Sequence, residues 1–226
     1  MNKRKDGCWE WLLDYLNPDV VTAQEASPLP KGVDATVRST TKKMNRSAFY
    51  TRTFDHEVIK VESDHGMGLQ VAKYQDIFFI NVYANLDFKP LAPPLLGFIA
   101  KFVAYVRRSY NARNIIIAGD FNMDRRMDDN PTGTRFALKD TYPTNNFLDA
   151  ILDMGFYDCM RKFNDLPVQT HRNARSTFPW ELDHMFVTEG LFNCLTNVEV
   201  SNQRMLSDHD PIIADFDLTG LMERSG

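Results

Sequence analysis

The stretch Ile115-Ile116-Ile117-Ala118-Gly119-Asp120-Phe121-Asn122 says more about the fold than any other part of the chain. Four consecutive apolar residues, three of them β-branched, are typical of a strand that is buried on both faces. The glycine and the acidic residue end that strand, and a polar residue at the end of a rigid strand is well placed to reach into a cleft. We therefore predict a central buried strand over 115–118 with functional residues at its carboxyl end.

The remaining apolar segments predict a strand-rich chain with a few helices. Gly155 marks the end of a helix that is predicted at 147–154, and 124–139 is predicted to be a polar loop. From this pattern we infer two packed sheets covered by helices. Helices are predicted at 9–16, 93–108 and 147–154, where apolar residues recur at helical spacing. Further strands are predicted at 20–21, 58–61, 69–72, 77–82, 182–187 and 212–216, with other short β segments between 35 and 74.

The composition is that of an ordinary globular protein. The 226 residues are 43% hydrophobic and 25% charged, and a chain of this length is typical of one domain. Eleven glycines, eleven prolines and 12% aromatic residues exclude a collagen, a coiled coil and bulk disorder. The net charge of −4 disfavours nucleic-acid binding through overall charge, although a local basic rim is compatible with it.

Three sequence features bear on the compartment of the protein. Cys8, Cys159 and Cys194 are odd in number and widely spaced, which predicts free core thiols in a reducing compartment rather than a disulfide framework. No segment has the ~18 uncharged apolar residues that a membrane span requires. Glu10 and Asp14 interrupt the apolar stretch after the basic N-terminus, which argues against a signal peptide. We therefore expect a cytoplasmic protein without a membrane span, and its oligomeric state is left open.

Four polar clusters stand where predicted strands end. A single acidic residue or histidine at such a position is typical of a turn, a cap or a surface contact, so no cluster is decisive alone. Four in one chain favour a shared site, because strand ends are rigid positions from which side chains reach a cleft. The clusters are Gln24-Glu25, Asp120-Phe121-Asn122, Asp183-His184 and Ser207-Asp208-His209.

In order and character these clusters resemble the motifs of the endonuclease/exonuclease/phosphatase superfamily, which has the DNase I-like fold. The resemblance runs over about residues 9–216, and its most specific parts are Gly119-Asp120-Phe121-Asn122 and Ser207-Asp208-His209 in combination. It implies an α+β protein, a four-layer α/β/β/α sandwich in which two mostly antiparallel sheets lie face to face between helices. The chain, 1–226, would then form a single domain of this family.

The resemblance also implies a reaction, the metal-assisted hydrolysis of a phosphate ester by water. In such a reaction a divalent cation and fixed donors offset the charge that builds on the phosphoryl oxygens. Glu25 is the implied metal ligand, with Mg²⁺ as the ion and Mn²⁺ as the alternative. Asp208 is implied as a second metal contact or as a group that orients the water. A salt-bridged surface carboxylate is the competing interpretation of Glu25.

Catalytic roles are implied for the other motif residues. Asp120 would accept a proton from the attacking water or orient it, and Asn122 would donate to a phosphate oxygen. Alternation along an extended segment would place both side chains on one face, and a plain turn at Asp120-Phe121-Asn122 is the competing interpretation. Asp183 would orient and charge His209, which donates to the phosphoryl oxygen. On the opposite face of the strand, His184 would be structural.

Tyr83 is a further catalytic candidate, because the family often has a tyrosine after the strand at 77–82 whose hydroxyl touches the phosphate. The usual continuation is a proline and then an asparagine three residues after the tyrosine. Here Asn85 comes two residues after Tyr83 and no proline intervenes, so the assignment of Asn85 is weaker.

Trp180, Arg125 and Arg172 are the candidates for substrate binding. Core packing is an equal alternative for Trp180, and solvated loops are the alternative for the cations. Cations that flank the motifs could form the rim that a nuclease needs. That rim would draw on Arg38, Lys42, Lys43, Arg46, Arg125, Arg126, His171, Arg172 and Arg175.

The chain departs from the family pattern at its start. The family domain begins with a core strand that ends in a Trp-Asn-like motif, whereas Met1-Asn2-Lys3-Arg4 leads directly into the first predicted helix. Asn2 matches at most the second polar residue of that motif, so we expect the first core strand to be absent. A start assigned at an internal Met is the favoured explanation, and a shortened, weakened product is the alternative. An absent central strand would expose a sheet edge.

The substrate stays open among the activities of the family. Inositol phosphatases carry Trp-Cys-Asp-Arg where this chain has Trp180-Glu181-Leu182-Asp183, which argues against that class. A nuclease and a lipid or small-molecule phosphodiesterase both fit the sequence, so the partner is a phosphate ester, with nucleic acid as one candidate. A catalytically silent phosphate-binding module of the same fold is the alternative from a different functional class.

Overall fold

The structure, a computed structural model, describes residues 7–39, 46–53, 55–59, 69–84, 92–129, 143–172, 178–202 and 206–222. The strands in these ranges are β1 Val20–Ala23, β2 Thr36–Ser39, β3 Arg46–Thr51, β4 Glu57–Ile59, β5 Gln70–Tyr74, β6 Ile77–Tyr83, β7 Asn114–Asp120, β8 Phe156–Asp158, β9 Asp183–Thr188, β10 Leu195–Val200 and β11 Ile212–Phe216. The α-helices are α1 Cys8–Glu10, α2 Ala92–Tyr110, α3 Thr144–Asp153, α4 Glu189–Cys194 and α5 Thr219–Met222. A π-helical segment, Trp11–Leu16, continues α1, and 3₁₀ turns lie at Arg125–Met127 and Met160–Lys162.

A six-stranded sheet with the order β4-β5-β6-β7-β9-β8 forms the centre of the molecule. β6 and β7 run parallel, and the other neighbouring strands run antiparallel. A parallel pair needs a long crossover, which α2 supplies between these two strands. Every residue of β6 is buried, as the apolar run at 77–82 predicts for a strand that is covered on both faces.

Alternation along β7 divides its side chains between two cores. Ile115 and Ile117 face the helices α2 and α3 and pack against the buried stripe of α2. Ile116 and Ala118 face the other way and pack against the second β layer. The uninterrupted apolar run is therefore explained by burial on both sides of one strand. The stripe of α2 consists of Leu95, Ile99, Val103 and Val106, which recur at helical spacing.

The second β layer has two parts, the three-stranded sheet β1-β3-β2 and the pair β10-β11. Phe49 of β3 and Val198 of β10 share a buried cluster with Phe79 and Ile116 of the central sheet, so both parts pack on the same face of that sheet. Outside this layer, α1 contributes to a smaller buried cluster, which consists of Trp9, Val21, Ala26 and Ala48.

The predicted α+β architecture, with two mostly antiparallel β layers between helices, is confirmed.

Several elements differ from the sequence-based prediction. β8, α4 and β10 were not predicted, because β8 has only three residues and the register of β10 shifts between Leu195 and Asn197, which breaks its alternation. The predicted loop at 124–139 opens with a 3₁₀ turn, since the Asp124 side chain accepts the Arg126 N–H. The rest of that loop, from 130, lies outside the described residues. So do residues 1–6, and the absence of a first core strand stays a prediction.

Membrane spans and cysteines are the sequence features that were linked to the compartment, and the described residues bear on both. None of its helices combines the length and the apolar composition that crossing a bilayer requires. All three cysteines are free thiols, and Cys159 is fully buried. Burial and the neighbouring Asp158 raise the pKa of the Cys159 thiol well above its usual range, so this residue packs as an unreactive core side chain.

Gly119 is required at a close approach of β7 to β6. Its φ is +143°, and a Cβ at this position would lie 2.0 Å from the carbonyl oxygen of Val82. That oxygen belongs to the backbone of a central strand and is not free to move. The parallel pairing next to Asp120 therefore depends on the missing side chain.

We predict that Gly119→Ala lowers the free energy of unfolding by about 3 kcal/mol or more, because the new Cβ forces β6 and β7 apart. Urea unfolding followed by circular dichroism measures this loss. Gly97→Ala is the matched control, since a Cβ there meets nothing within 4 Å and the helix interior gains about 0.5–1 kcal/mol from alanine. Equal stabilities of the two variants would contradict the close approach.

Candidate active site

Three neighbouring strands of the central sheet bring three predicted site residues into direct register. Tyr83 at the end of β6 pairs with Asp120 at the end of β7, and Asp120 pairs with Asp183 at the start of β9. Residues that lie opposite each other on neighbouring strands project to the same face of the sheet. The register therefore places a phenol and two carboxylates side by side, although they are far apart in the sequence.

A tight turn after β7 holds the buried carboxylate of Asp120. The backbone N–H of Asn122 donates to Oδ1 at 2.9 Å, and the side-chain amide of Asn122 donates to Oδ2 at 3.1 Å. The same amide donates to the Ala84 carbonyl at 2.9 Å. Asn122 has a φ of 51°, in the left-handed region that asparagine tolerates. The prediction of an extended segment from Asp120 to Asn122 is therefore wrong, since a turn brings the two side chains together.

Phe121 anchors this turn in the core. The side chain is fully buried and its ring contacts those of Phe147, His184 and Phe186. His184 lies in the same core and donates from Nε2 to the Met123 carbonyl at 2.8 Å. It therefore packs behind the strand, which is the structural position that was predicted for it.

Asp183 and His209 form a hydrogen-bonded pair, with Nδ1 of His209 2.8 Å from Oδ2 of Asp183. The backbone N–H of His209 donates to Ser207 Oγ at 3.0 Å, which fixes the loop. Burial alone would lower the pKa of His209, but the Asp183 carboxylate, assisted by Asp120 and Asp208, raises that pKa to about 10. The imidazole is therefore protonated, and its Nε2–H is available to a second acceptor.

Asp120 is a nearly fully buried acid beside another acid, so its surroundings disfavour the ionised form. Burial, and then the Asp183 carboxylate, raise the pKa of Asp120 to about 7, although His209 and the Asn122 N–H act to lower it. A carboxyl group with a pKa near neutrality exchanges a proton readily under ordinary conditions. This is the property that a general base requires.

Glu25 lies directly beyond the end of β1 and accepts a hydrogen bond from the Tyr83 hydroxyl at 2.6 Å. Its φ of 49° is in the left-handed region, which costs a residue other than glycine about 1–3 kcal/mol. Such strain concentrates at functional sites, where the surrounding structure holds a side chain in one direction. Glu25 is thus a hydrogen-bonded partner of Tyr83.

Asn81 of β6 forms hydrogen bonds to β1 and β3 near Glu25, and it was not identified from the sequence. This fully buried residue of β6 accepts from Gln24 Nε2 at 2.6 Å, and its own amide donates to the carbonyls of Ala23 and Ala48 at 3.3 and 3.2 Å. β1 and β3 are thereby attached to the central sheet next to the site. The available signal was a single polar residue inside the apolar run at 77–82.

A single groove of about 1940 Å³ is lined by Glu25, Asp120, Asp183, Asp208 and His209. Ligand atoms of Asp120, Asp183 and His209 all lie within 4.8 Å of one another. The donors in this cluster are mainly carboxylate oxygens. Hard oxygen donors suit Mg²⁺ or Mn²⁺, so the residues present fit a divalent ion of this class.

Arg172 lies in the same groove but is already paired. Its Nε donates to the buried Asp210 at 2.5 Å, and its Nη1 donates to Gln169 at 2.6 Å. Its backbone N–H donates to the Asp208 carbonyl at 2.7 Å. The structure therefore gives Arg172 a role in supporting the loop that carries Asp208 and His209, beside the predicted substrate contact.

The other two substrate-binding candidates lie away from the groove. Trp180 is 5% exposed and its ring packs 4.1 Å from that of Phe178, which is the core-packing alternative. Arg125 forms an exposed ion pair with Asp149 at 2.7 Å. Of the predicted rim, Lys42, Lys43 and Arg175 lie outside the described residues, as do the side chains of Arg38 and Arg46.

His171, which was predicted only as part of the cationic rim, and Thr170, which was not predicted, lie beside the pair of Asp183 and His209. The ring of His171 lies 4.6 Å from that of His209, and burial together with His209 lowers the pKa of His171. Thr170 Oγ1 accepts the backbone N–H groups of Leu182 and Asp183, both at 3.0 Å. Only the fold brings this segment next to β9, so no sequence pattern indicated the role of Thr170 or the packing of His171 on His209.

The pH dependence of stability should report on the Asp183–His209 pair. Because the folded-state pKa of His209 is raised from 6.5 to about 10, protonated His209 stabilises the fold below about pH 6.5. This contribution is lost as the pH rises through 10. We expect the stability advantage of the wild type over His209→Gln to be about 1–3 kcal/mol larger near pH 6 than near pH 10, in urea unfolding without metal.

Asp183→Asn supplies the control for that experiment, since it removes the partner that charges the imidazole. In this background the pH-dependent part of the His209→Gln effect should shrink to within about 0.5 kcal/mol. A His209→Gln effect in the wild type that does not change with pH would show that the pair is not ionised in the folded protein.

Comparison with known proteins places the chain in a family. The model of the endonuclease/exonuclease/phosphatase family matches residues 1–209. Recombination repair protein 1 of Drosophila melanogaster is 23% identical over 183 residues, which cover 72% of this chain and 27% of that relative. The chain thus spans about a quarter of the length of this curated relative.

Solved structures of the DNase I-like superfamily share the fold. An AP endonuclease from Archaeoglobus fulgidus matches with a TM-score of 0.69 and 20% identity over 93% of both chains. The 3′ phosphatase NExo from Neisseria, bound to a product DNA hairpin, matches with a TM-score of 0.68 and 20% identity over 92% of both chains. With its DNase I-like fold and a family match across nearly all of its length, this chain belongs to the endonuclease/exonuclease/phosphatase family of phosphoester hydrolases.

Proposed function

We propose that the protein is a Mg²⁺-dependent phosphodiesterase that hydrolyses nucleic acid, with Mn²⁺ as a substitute ion. The observation that carries this proposal is the convergence of Tyr83, Asp120 and Asp183 in one register, with Glu25 and His209 beside them. A base, a protonated donor and a set of carboxylate oxygens are the groups that metal-assisted attack of water on a phosphate requires.

Asp120 is the general base in this proposal. Its raised pKa lets the ionised carboxylate accept the proton of the water whose oxygen bonds to phosphorus. Asn122 donates to both oxygens of this carboxylate, through its backbone N–H and its side-chain amide, and so fixes the orientation of the base. As the ester P–O bond breaks, the leaving oxygen takes a proton from the solvent.

His209 is the electrophilic donor. The Asp183 carboxylate occupies Nδ1, so the imidazolium presents Nε2–H to a non-bridging phosphoryl oxygen as negative charge develops there. His209 keeps its proton through the reaction, since its pKa of about 10 lies well above neutrality. The pair therefore contributes a fixed positive charge and not a transferable proton.

Glu25 and Asp208 are the residues that would hold the ion. A bound Mg²⁺ supplies positive charge that offsets the charge on the phosphate oxygens and on the leaving group. The Tyr83 hydroxyl donates to Glu25 and so orients the carboxylate toward the groove.

Two observations favour nucleic acid over a lipid or a small phosphodiester. The solved relatives include an AP endonuclease and a 3′ phosphatase bound to DNA, and the curated relative is named as a repair protein. Arg172 lines the groove beside the acidic cluster. A cation at this position suits a phosphate backbone.

The direct test is a substrate panel of plasmid DNA, RNA, an abasic duplex, bis-nitrophenyl phosphate and sphingomyelin, each with Mg²⁺ and with EDTA. We expect Mg²⁺-dependent cleavage of at least one nucleic acid. Asp120→Asn and His209→Ala should each lower kcat/KM by at least about 100-fold. Asp76→Asn is the matched control, because this exposed carboxylate precedes β6 at the end opposite Tyr83.

The outcomes of this panel separate the candidate functions. Cleavage that survives both substitutions in folded protein would place the chemistry elsewhere. Hydrolysis of sphingomyelin or bis-nitrophenyl phosphate alone would remove nucleic acid as the substrate. Phosphate binding without turnover of any substrate would support the silent binding module.

Tyr83→Phe should weaken the response to the metal ion. Loss of the hydroxyl frees the Glu25 carboxylate to rotate, and removal of such a supporting hydrogen bond costs about 10–100-fold in metal affinity or activity. The readout is the Mg²⁺ concentration at half-maximal rate, which we expect to rise. Tyr157→Phe, on the exposed side of β8, is the control, and an unchanged Mg²⁺ response in Tyr83→Phe would separate Tyr83 from the metal site.

A further inference from the structure

Segment 170–172 pairs with segment 208–210, which carries His209. The pairing is antiparallel, with a β-bridge at its centre. The Thr170 carbonyl accepts the N–H of Asp210, the residue directly after His209, at 2.7 Å. A second backbone hydrogen bond of the same length closes the other end of the pairing. The backbone on both sides of His209 is therefore held by one short segment.

The same segment is bridged on its other side to the chain that leads into β9. The Thr170 N–H donates to the Trp180 carbonyl at 2.9 Å. The Thr170 hydroxyl oxygen accepts the N–H groups of Leu182 and Asp183, both at 3.0 Å. Thr170 is thus bonded to the backbone of Asp183 and to the backbone next to His209, although these two residues are 26 positions apart in the sequence.

The two bonds to the Thr170 hydroxyl mark a bend in the chain. Consecutive N–H groups of a regular strand point to opposite edges of the sheet, so one oxygen accepts from both only where the chain turns. The turn lies at Leu182 and Asp183, where β9 begins. A hydroxyl oxygen has two lone pairs and can therefore accept both bonds. The direction in which the Asp183 side chain leaves the backbone thus depends on one hydroxyl group.

The surroundings of Thr170 leave no substitute for that hydroxyl. Water has no access to it, because Thr170 has no exposed surface. A buried N–H without an acceptor is unfavourable, so loss of the hydroxyl would move the chain at 182–183 to a different path. Oδ2 of Asp183 lies 2.8 Å from Nδ1 of His209, and a small change in the path of the backbone would lengthen or break that hydrogen bond.

We propose that Thr170 is a positioning residue for the Asp183–His209 pair. Its hydroxyl holds the bend that directs the Asp183 carboxylate to Nδ1 of His209, and its carbonyl holds the loop on the other side of the pair. Because Thr170 is buried, it acts through His209 and does not contact the substrate. The effect on catalysis rests on the proposed hydrolysis, whereas the effect on the geometry of the pair does not.

Thr170→Val removes the hydroxyl and keeps the branched shape of the side chain, and Thr170→Ser keeps the hydroxyl. The readout is the low-field ¹H NMR signal of the His209 Nδ1–H proton in EDTA, which is identified by its absence from His209→Gln. We expect this signal in the wild type and in Thr170→Ser, and its loss or upfield shift in Thr170→Val. An unchanged signal in folded Thr170→Val would overturn the proposal.

Reaction rates test the same role of Thr170 on the substrate that the panel identifies. Thr170→Val should lower kcat at least about tenfold and change KM less than about threefold, because the donor to the phosphate is misdirected while the groove is intact. Thr170→Ser should keep kcat within about threefold of the wild type. Thr196→Val is the matched control, since it removes an exposed hydroxyl bond to the Asp215 carbonyl and should leave kcat unchanged. Equal losses of kcat in both Thr170 variants would overturn the role of the hydroxyl.

The NMR comparison needs no turnover, so it separates the role of Thr170 from the proposed hydrolysis. If the wild type cleaves no member of the panel, the proposed hydrolysis fails, and the NMR signal still decides whether Thr170 positions the pair. If Thr170→Val does not fold, hydrogen exchange of the wild type decides instead. The amide protons of Leu182 and Asp183 should exchange at least about 100-fold more slowly than those of an unstructured peptide, and rapid exchange of either would overturn the proposal.

Discussion

The register of β6, β7 and β9 is the constraint on which the rest of the site depends. Tyr83, Asp120 and Asp183 lie opposite one another on these strands, and a slip of one residue would turn a carboxylate to the other face of the sheet. Gly119 permits the approach of β7 to β6, and the Ala84 N–H donates to the Asp120 carbonyl at 2.8 Å just beyond the paired strands. The chemistry is therefore positioned by backbone pairing in the most buried part of the fold.

That position makes the acids costly and also useful. Carboxylates at the end of a buried sheet lose hydration, and their mutual repulsion disfavours ionisation, which is why the pKa of Asp120 rises. His209 offsets part of this cost through its pair with Asp183, and the left-handed backbone of Glu25 adds strain. The extensive cores on both faces of the central sheet supply the stability that offsets these costs. A site of this kind lowers the stability of the fold, because it holds charged groups in the positions that the chemistry requires.

The groove that contains the acidic cluster joins the site to the architecture of the second β layer. The six-stranded sheet is continuous, whereas the second layer has two parts, and one strand from each part, β1 and β11, lines the same groove as the acidic cluster. Asn81 and Gln24 hold β1 in place from the central sheet, so Glu25 keeps its position although no described strand lies beside β1 on the groove side. The geometry of the site thus relies on contacts between layers as well as on strand pairing.

The sequence alone determined the architecture and the identity of most candidate residues, because both rest on local signals. Apolar runs such as 77–82 and 115–118 mark doubly buried strands, and Asp120, Asp183 and His209 stand in recognisable motifs at strand ends. The turn at Asn122, the burial of Trp180, the pairing of Arg172 and the participation of His171 were decided only by the tertiary structure. Each of these depends on a neighbour from a distant segment, and hydrophobic periodicity carries no information about which segments meet.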